Sequence, residues 1–336
     1  MKTRKYKILF TIITGAMFIL SACETEPEAL MIQKPYTYDD QYYENLRAYK
    51  ESDHQIFYGW YAAYGQKEGV QASYKESASW GEHIAGLPDS LDFCSLWMGI
   101  PTEEDNPIAY EEMRRSMEVR GIKMVMPEIC RIEKYEGQFE LNEDGMREYA
   151  AYLVNKVFEH DLDGLDLDYE PEGDWLQDSV FAVFVQMVGE SIGPMSINPD
   201  KYLIIDYYNH TPPPEVEPYI NYLVNQAYTQ GITSNSAERL QSRYDQVSWC
   251  PPEKFIVTEN FGDWWPDGGS PFTEADGNTL TTDGKQMYSL EGMARWNPVQ
   301  GPKGGFGAFY FDRDYQNLPA YHNVRRCIQI INPAVY

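Results

Sequence analysis

The sequence predicts a single (β/α)8 barrel, the TIM barrel of the α/β class. Short apolar segments typical of strands recur at intervals of about 30 to 50 residues, and there are eight of them, the number that closes such a barrel. Segments with helical periodicity lie between them, and an alternation of strands and helices predicts a parallel sheet. A doubly wound open sheet is the structural alternative.

The predicted strands follow one another along most of the chain. In order, they cover residues 56–61, 93–98, 123–127, 164–169, 202–207, 222–227, 255–260 and 306–311. Helical periodicity marks residues 39–52, 109–120, 141–159 and 321–331, and the last of these ends before Pro333. We therefore assign residues 53–336 to one catalytic barrel, preceded by a tether and an N-terminal helix over residues 23–52.

The amino terminus is typical of an export signal. Four basic residues within the first seven are followed by an apolar run over residues 8–20, which is too short to span a bilayer. The run ends in Leu-Ser-Ala before Cys23, which resembles the lipobox of bacterial lipoproteins, so residues 1–22 are predicted to be removed and Cys23 to be acylated. The acidic residues directly after Cys23 resemble the export tag of surface-displayed lipoproteins in some Gram-negative bacteria, and this resemblance favours display on the outer-membrane surface. An ordinary cleaved signal is the alternative.

Charge and composition narrow the class of partner. The formal net charge is −25, and removal of the predicted signal would take away four basic residues and no acidic one. A chain this acidic repels phosphate backbones, so nucleic acid is excluded as a partner. Aromatic residues make up 15% of the chain, and because sugar rings stack on aromatic faces, this content favours carbohydrate. The cysteines after Cys23 are widely spaced and indicate neither a zinc site nor a disulfide scaffold.

The most informative segment is the fourth predicted strand, where apolar and acidic residues alternate. In a strand, Asp166, Asp168 and Glu170 share one face, which in a parallel barrel is the interior. Carboxylates buried together raise one another's pKa, so Glu170, at the mouth, is expected to hold a proton and act as a general acid. A calcium-binding loop would need a different spacing, since its fifth and sixth positions would here be Leu165 and Asp166. An exposed acidic edge strand is the remaining alternative.

The segment Asp163-Gly-Leu-Asp-Leu-Asp-Tyr-Glu170 resembles the Asp-Gly-x-Asp-x-Asp-x-Glu signature of glycoside hydrolase family 18, which comprises chitinases and endo-β-N-acetylglucosaminidases. The resemblance implies a retaining mechanism in which the substrate's own 2-acetamido group is the nucleophile. It implies that Glu170 is the proton donor, that Asp168 holds the acetamido N–H and that Asp166 pairs with Asp168. No cofactor and no metal ion are predicted.

The same resemblance suggests residues at other strand ends. Tyr228 would donate to the acetamido oxygen, and with Gln226 it forms a Gln-x-Tyr element similar to that of endoglycosidases, where chitinases have Met-x-Tyr-Asp. Asp206 and Tyr208 are further candidates for substrate contacts. Trp264 and Trp265 would stack on an extended glycan, and Trp60 is a weaker candidate of the same kind.

The chain also departs from the family pattern. The Ser-x-Gly-Gly element of the third strand is missing, and Glu128 there either faces the site or forms a salt bridge at its rim. The eighth strand lacks the family's tryptophan, so Phe309 or Tyr310 would replace it, and Tyr310 is taken as the candidate sugar contact. The seventh strand is followed by a segment too short for the small inserted domain of processive chitinases.

The predicted function is cleavage of the GlcNAc-GlcNAc core of N-linked glycans by a monomeric lipoprotein that meets the membrane only through its lipid anchor. The predicted partner is a glycan or glycoprotein substrate. A chitinase or chitooligosaccharide hydrolase, and a glycan-binding lipoprotein without turnover, are the two alternatives.

Overall fold

The structure is a computed structural model and describes residues 37–62, 83–135, 137–229 and 232–333. Within them, eight parallel strands form a closed barrel in the order β1-β8-β7-β6-β5-β4-β3-β2. The predicted single (β/α)8 barrel is thereby confirmed. The strands are β1 (Ile56–Tyr61), β2 (Phe93–Leu96), β3 (Lys123–Ile129), β4 (Gly164–Tyr169), β5 (Tyr202–Tyr207), β6 (Tyr222–Gln226), β7 (Phe255–Asn260) and β8 (Gly305–Phe309).

Helices connect most of the strands on the outside of the barrel. They are α1 (Asp40–Lys50), α2 (Pro107–Arg120), α3 (Glu143–Glu159), α4 (Asp178–Gly189), α5 (Ala237–Asp245), α6 (Phe261–Trp264), α7 (Ser289–Arg295) and α8 (His322–Ile331). Between β5 and β6 a 3-10 segment, Pro214–Tyr219, takes the place of a longer helix. No helix of the described residues is both long and apolar enough to cross a membrane.

Four strand bounds match the prediction, β6 ends one residue earlier than predicted, and the other three differ for local reasons. Strand β2 ends at Leu96 because the Trp97 amide turns back to the Ser95 carbonyl. Strand β3 continues past Pro127 to Ile129, because Glu128 and Ile129 still pair with β4. Strand β8 ends at Phe309 because Tyr310 takes the left-handed backbone conformation, with φ of 53°.

The barrel interior and the layer under the helices are two separate apolar clusters. The interior cluster consists of Ile56, Tyr58, Trp60, Phe93, Val125, Ile204, Val224 and Ile256. Because side chains alternate along each strand, the apolar residues at the outward positions of the strands pack under the helices. At one end of this apolar interior the inward positions become polar, which places the site.

Glycines on the eighth strand let β1 and β8 pack closely. A Cβ built at Gly307 would lie 1.7 Å from the Tyr58 carbonyl oxygen, and one at Gly305 would lie 2.2 Å from the Ile56 carbonyl oxygen. Neither position has room for a side chain. The glycine-rich start of the eighth strand is therefore required by the closure of the barrel.

The predicted signal segment, Cys23 and most of the tether lie outside the described residues, as do residues 334–336. The N-terminal helix predicted within residues 39–52 is α1. It begins after Asp39, whose carboxylate accepts from the Tyr42 amide. Its Arg47 donates to the Val119 carbonyl of α2, and its Lys50 donates to the Leu91 carbonyl before β2.

Candidate active site

Strand β4 carries two buried aspartates on the face that points into the barrel. Asp166 is fully buried, and its Oδ2 accepts hydrogen bonds from Trp60 Nε1 at 3.0 Å and from Ser95 Oγ at 2.9 Å. Burial raises the pKa of the Asp166 carboxyl, and the hydrogen bonds that it accepts oppose part of this rise. Asp166 is thus a rigidly held group at the base of the site.

Asp168 lies one inward position further along β4, opposite Asp206 of β5 in the register of the sheet. Both are buried, and Gln226 Nε2 donates to Oδ1 of each, at 3.4 Å for Asp168 and 2.5 Å for Asp206. Burial raises the pKa of Asp168 well above its ordinary value, as do the charges of Glu170 and Asp166. Burial followed by repulsion from Asp168 and Asp166 does the same for Asp206. The three aspartates therefore retain protons above the pH at which an exposed aspartate ionises.

Glu170 follows directly after β4, at the carboxyl end of the strand, and is half-buried. Burial raises the pKa of its carboxyl, while Gln226 and Arg131 oppose part of the rise. Its carboxyl group is therefore accessible, and it stays protonated to a higher pH than an exposed glutamate does. These are the properties that a general acid needs.

Arg131 holds the loop that carries Glu170. Its Nη2 donates to the Glu170 carbonyl oxygen at 2.9 Å, and its guanidinium pairs with Asp174 at 3.2 Å and with Glu172 at 3.4 Å. Glu133, from the same connection after β3, accepts from the Trp175 amide at 2.6 Å. The sequence analysis did not identify Arg131 or Glu133. The available signal was a basic residue after the third strand together with an acidic run after the fourth strand.

Tyr228 lies just beyond the end of β6 and is buried against an aromatic cluster. Its ring lies 6.1 Å from that of Phe309 and 6.0 Å from that of Tyr208. Burial raises the pKa of the Tyr228 hydroxyl well above its ordinary value, and Asp206, Asp168 and Glu170 add to the rise. The hydroxyl therefore stays neutral and can donate a hydrogen bond near the carboxyl groups.

Two further residues, which the sequence analysis did not identify, fix the backbone around Tyr228. Arg239 of α5 donates to the Tyr228 carbonyl oxygen at 2.8 Å. Glu259 of β7 is fully buried and accepts from the amide and hydroxyl of Thr229 and from the hydroxyl of Ser289. In the sequence, Glu259 is an acidic residue at an outward position of β7, where the preceding outward residues Phe255 and Val257 are apolar. This departure from the apolar pattern could have identified it.

Phe309 takes the inward position at the end of β8. Its ring contacts the interior cluster, with centroids 6.3 Å from Trp60 and 5.4 Å from Trp97. Tyr310 is half-buried, and its ring lies 3.9 Å from that of Phe309 and 5.1 Å from the guanidinium of Arg313. The structure therefore assigns to Phe309 the inward place for which the sequence analysis selected Tyr310, because the strand ends between the two.

The structure corrects the expectation for Trp60. Its indole is 1% exposed and donates to Asp166, so it lies beneath the carboxyl groups and supports one of them. A sugar ring has no access to a side chain this deeply buried. Trp60 is therefore a support for Asp166 instead of a stacking surface.

Trp264 and Trp265 are both half-buried, at the end of α6 and just after it. Trp265 packs against the outer apolar core, and its carbonyl accepts from Asn317 and Asn323. Core packing thus explains the partial burial of Trp265. Trp264 stays a predicted sugar contact.

Glu128 does not face the site. It lies on the outward side of β3, where the hydroxyls of Tyr149 and Tyr135 donate to it at 2.8 Å and 3.3 Å. Both sequence interpretations of Glu128 are therefore wrong, because strand alternation turns it toward α3 and its partners are tyrosines. Among the described residues, no group of three or more histidine, cysteine or acidic side chains is arranged to hold a metal ion.

Sequence comparison with known proteins identifies the family of this chain. A model of glycoside hydrolase family 18, BT1044-like, matches residues 21–330. The chain is 26% identical over 312 residues to endo-beta-N-acetylglucosaminidase F2 of Elizabethkingia meningoseptica. The alignment covers 86% of this chain and 85% of the relative.

Solved structures show the same fold. A BT1044 selenomethionine variant aligns with a TM-score of 0.69 at 21% identity, covering 88% of this chain and 93% of the other. A mutant endo-beta-N-acetylglucosaminidase of Cordyceps militaris, solved in complex with fucosyl-N-acetylglucosamine-Asn, aligns with a TM-score of 0.64 at 21% identity, covering 89% of this chain and 98% of the other.

Proposed function

Because the chain belongs to glycoside hydrolase family 18 and is a glycosidase of that family, we propose that it hydrolyses the β-1,4 bond of the GlcNAc-GlcNAc core of N-linked glycans. The observation that carries the proposal is the position of Glu170, a half-buried carboxyl with a raised pKa at the mouth of the barrel, directly beyond the buried Asp168. The similarity to endo-beta-N-acetylglucosaminidase F2 supports this substrate, as does the Gln226-x-Tyr228 element.

In the proposed mechanism, the acetamido carbonyl oxygen of the substrate attacks the anomeric carbon. The glycosidic C–O bond breaks as the Glu170 proton moves to the leaving oxygen, and a cyclic oxazolinium forms. Asp168 accepts a hydrogen bond from the acetamido N–H, and the neutral Tyr228 hydroxyl donates to the acetamido oxygen. Glu170 then takes a proton from the water that opens the ring, which retains the anomeric configuration.

The remaining groups prepare Asp168 and the sugar-binding surface. Asp166 and Asp206 lie beside Asp168, so a proton shared within this cluster sets the charge that Asp168 presents to the acetamido group. Phe309 and Tyr208, whose rings both neighbour that of Tyr228, offer aromatic faces for the sugar next to the scissile bond.

The test compares wild type with Glu170→Gln on high-mannose and complex glycoproteins, with released glycans measured by mass spectrometry. We expect wild type to release glycans that retain one GlcNAc, and Glu170→Gln to lose about 10²- to 10⁴-fold in rate, the usual contribution of a positioned acid. Glu148→Gln, an exposed glutamate on α3, is the matched control and should keep full activity.

A parallel assay on chitin and a measurement of glycoprotein binding separate the alternatives. Release of chitobiose from chitin without release from glycoproteins would identify a chitinase. Equal binding of a glycoprotein by wild type and Glu170→Gln, with no product from either, would identify a binding protein and refute the proposal.

We also propose that the chain is exported and anchored to the cell envelope through an acylated Cys23. The basic head, the apolar run and the small residues before Cys23 support this. Metabolic labelling with an alkyne fatty acid should label wild type but not Cys23→Ser, and proteolysis of intact cells would distinguish an outward-facing from a periplasmic protein.

A further inference from the structure

A polar cavity of about 250 Å3 lies outside the barrel, between α5 and the outer face of β5 and β6. Tyr208 of the candidate active site forms part of its lining. Its rim is open to solvent, since Asn209, Ser242 and Gln246 are exposed. Its inner part is formed by Tyr207 and Asn225, which point outward from the barrel because strand alternation turns Asp206 and Gln226 inward.

The inner part of the cavity contains buried polar groups whose hydrogen bonds are incomplete. Asn225 is 0% exposed and Tyr207 is 2% exposed, and outside this pair neither the Asn225 side-chain amide nor the Tyr207 hydroxyl has a hydrogen-bond partner. Buried side-chain polar groups are nearly always paired. The two residues are neighbours, but one hydroxyl cannot satisfy both the oxygen and the nitrogen of an amide. A hydrogen-bond acceptor in the cavity would satisfy the two donors of the pair, the Asn225 Nδ2 and the Tyr207 hydroxyl.

The walls of the cavity carry two positive charges without an ionic partner. Arg239 and Arg243 lie one turn apart on α5, and within the described residues no carboxylate oxygen lies within 4.0 Å of a nitrogen of either guanidinium. Glu259 is more distant and is already engaged by Thr229 and Ser289. In a chain with a net charge of −25, two adjacent half-buried arginines without a carboxylate are unusual.

Arg243 has donors to spare. Its Nη1 donates to the Tyr208 carbonyl oxygen at 3.0 Å, whereas a guanidinium carries five N–H groups. Arg239 is more fully used, since it donates to the carbonyls of Ala227 and Tyr228 and to Asn235. Burial, followed by repulsion from Arg243, lowers the pKa of Arg239, and an anion between the two would relieve that repulsion.

We propose that this cavity is a binding site for a small oxyanion, held by the guanidinium of Arg243 with the Asn225 amide and the Tyr207 hydroxyl as neutral donors. The planar fork of a guanidinium matches the geometry of carboxylate, phosphate and sulfate. Because the same two arginines hold the carbonyls of Tyr208 and Tyr228, the bound anion stabilises the backbone that carries these tyrosines.

The proposal is tested by the melting temperature of the purified protein, measured against phosphate, sulfate, acetate and N-acetylneuraminate at constant ionic strength kept with NaCl. We expect a saturable rise of at least about 2 °C in wild type with one or more of these anions. The inorganic and carboxylate arms identify which source of oxyanion the site prefers. The rise should be lost in Arg243→Gln and kept in Arg147→Gln, an exposed arginine paired with Glu190.

Two further measurements keep the test decisive if Arg243→Gln fails to fold. Ser242→Glu places a negative charge at the exposed rim without removing a contact, and it should weaken anion binding at least tenfold. Crystals soaked in selenate should show an anomalous peak between Arg243 and Asn225. No saturable rise in wild type, an equal rise in Ser242→Glu, or only water in the cavity of soaked crystals would overturn the proposal, whatever the outcome of the glycan-release assays.

Discussion

Asp168 and Asp206 share one hydrogen-bond donor, the side-chain amide of Gln226, which lies 3.4 Å from Oδ1 of the first and 2.5 Å from Oδ1 of the second. The amide therefore links Asp168, which would hold the acetamido N–H, to the neighbouring Asp206 carboxyl. It also lowers the pKa of Glu170. Gln226 thus acts on three carboxyl groups at once.

We predict that Gln226→Ala lowers kcat/KM on a glycoprotein substrate by about 10- to 100-fold, since a hydrogen bond to a charged group contributes about 1.5–3 kcal/mol. The alkaline limb of the pH profile should move to higher pH, because Glu170 loses a group that lowers its pKa. Gln186→Ala, an exposed position on α4, is the control. An unchanged rate in Gln226→Ala would show that the shared donor has no part in catalysis.

Removal of the Asp206 carboxyl should change how stability depends on pH. The folded pKa of Asp206 lies well above the ordinary value of 3.8, so above about pH 4 the folded protein keeps a proton that the unfolded chain has released. The free energy of unfolding of wild type should therefore fall as pH rises through this window, by at most about 1.4 kcal/mol per pH unit for one proton.

Asp206→Asn keeps the shape of the protonated carboxyl but cannot ionise, so the variant loses the titration of Asp206 itself. Its free energy of unfolding should therefore decline less between pH 4 and pH 8, as measured by urea denaturation at each pH. The exposed Asp267→Asn should follow wild type. Parallel curves for wild type and Asp206→Asn would contradict the coupled carboxyl cluster.

The sequence was sufficient to predict the barrel and the inward face of β4, because both follow from local periodicity. Apolar and acidic residues alternate through Asp166 and Asp168, and a period of two can place these carboxyls on only one face. The position of Glu170 at the strand end follows from the same counting. These predictions needed no knowledge of which strands are neighbours.

Features that depend on contacts between distant segments could not be predicted in the same way. Arg131, after β3, donates to the carbonyl of Glu170, after β4. Trp60 of β1 donates to Asp166 of β4 across the barrel interior. The choice between Phe309 and Tyr310 depended on a single backbone angle at the end of β8. None of these contacts leaves a periodic signal in the sequence.

Arg131 should act as a positioning residue for the general acid. Its charge lowers the pKa of Glu170, and its Nη2 holds the Glu170 carbonyl. In Arg131→Met we expect the alkaline limb of kcat/KM to move to higher pH, because Glu170 stays protonated longer, together with a fall in kcat of about tenfold, or ~1.4 kcal/mol in the barrier.

The matched control for Arg131 is Arg147→Met, in which an exposed arginine paired with Glu190 is lost. A fall in kcat without any shift of the alkaline limb would mean that Arg131 acts only on loop structure. A shift without a fall in kcat would assign it an electrostatic role alone.

Lys303 should make the protein more stable as pH rises above neutral. The side chain is 1% exposed, and its Nζ donates to the Gln55 side chain at 2.7 Å and to the Ala294 carbonyl at 2.9 Å. Burial lowers its pKa to about 7 from 10.5, so between these values the unfolded chain binds a proton that the folded protein does not. The free energy of unfolding should therefore rise from pH 7 to pH 9, by at most about 1.4 kcal/mol per pH unit for this group.

Lys303→Met removes this titration but leaves the Ala294 carbonyl without its donor, which costs about 1–3 kcal/mol. We therefore expect a lower free energy of unfolding at pH 9 and a smaller rise between pH 7 and pH 9 than in wild type, both measured by urea denaturation. Lys50, whose pKa is also lowered to about 7 by burial, keeps part of the rise in the variant. Lys285→Met, at an exposed lysine, should leave the rise unchanged. If the rise in Lys303→Met equals that of wild type, Lys303 is charged in the folded protein and its burial is compensated by another group.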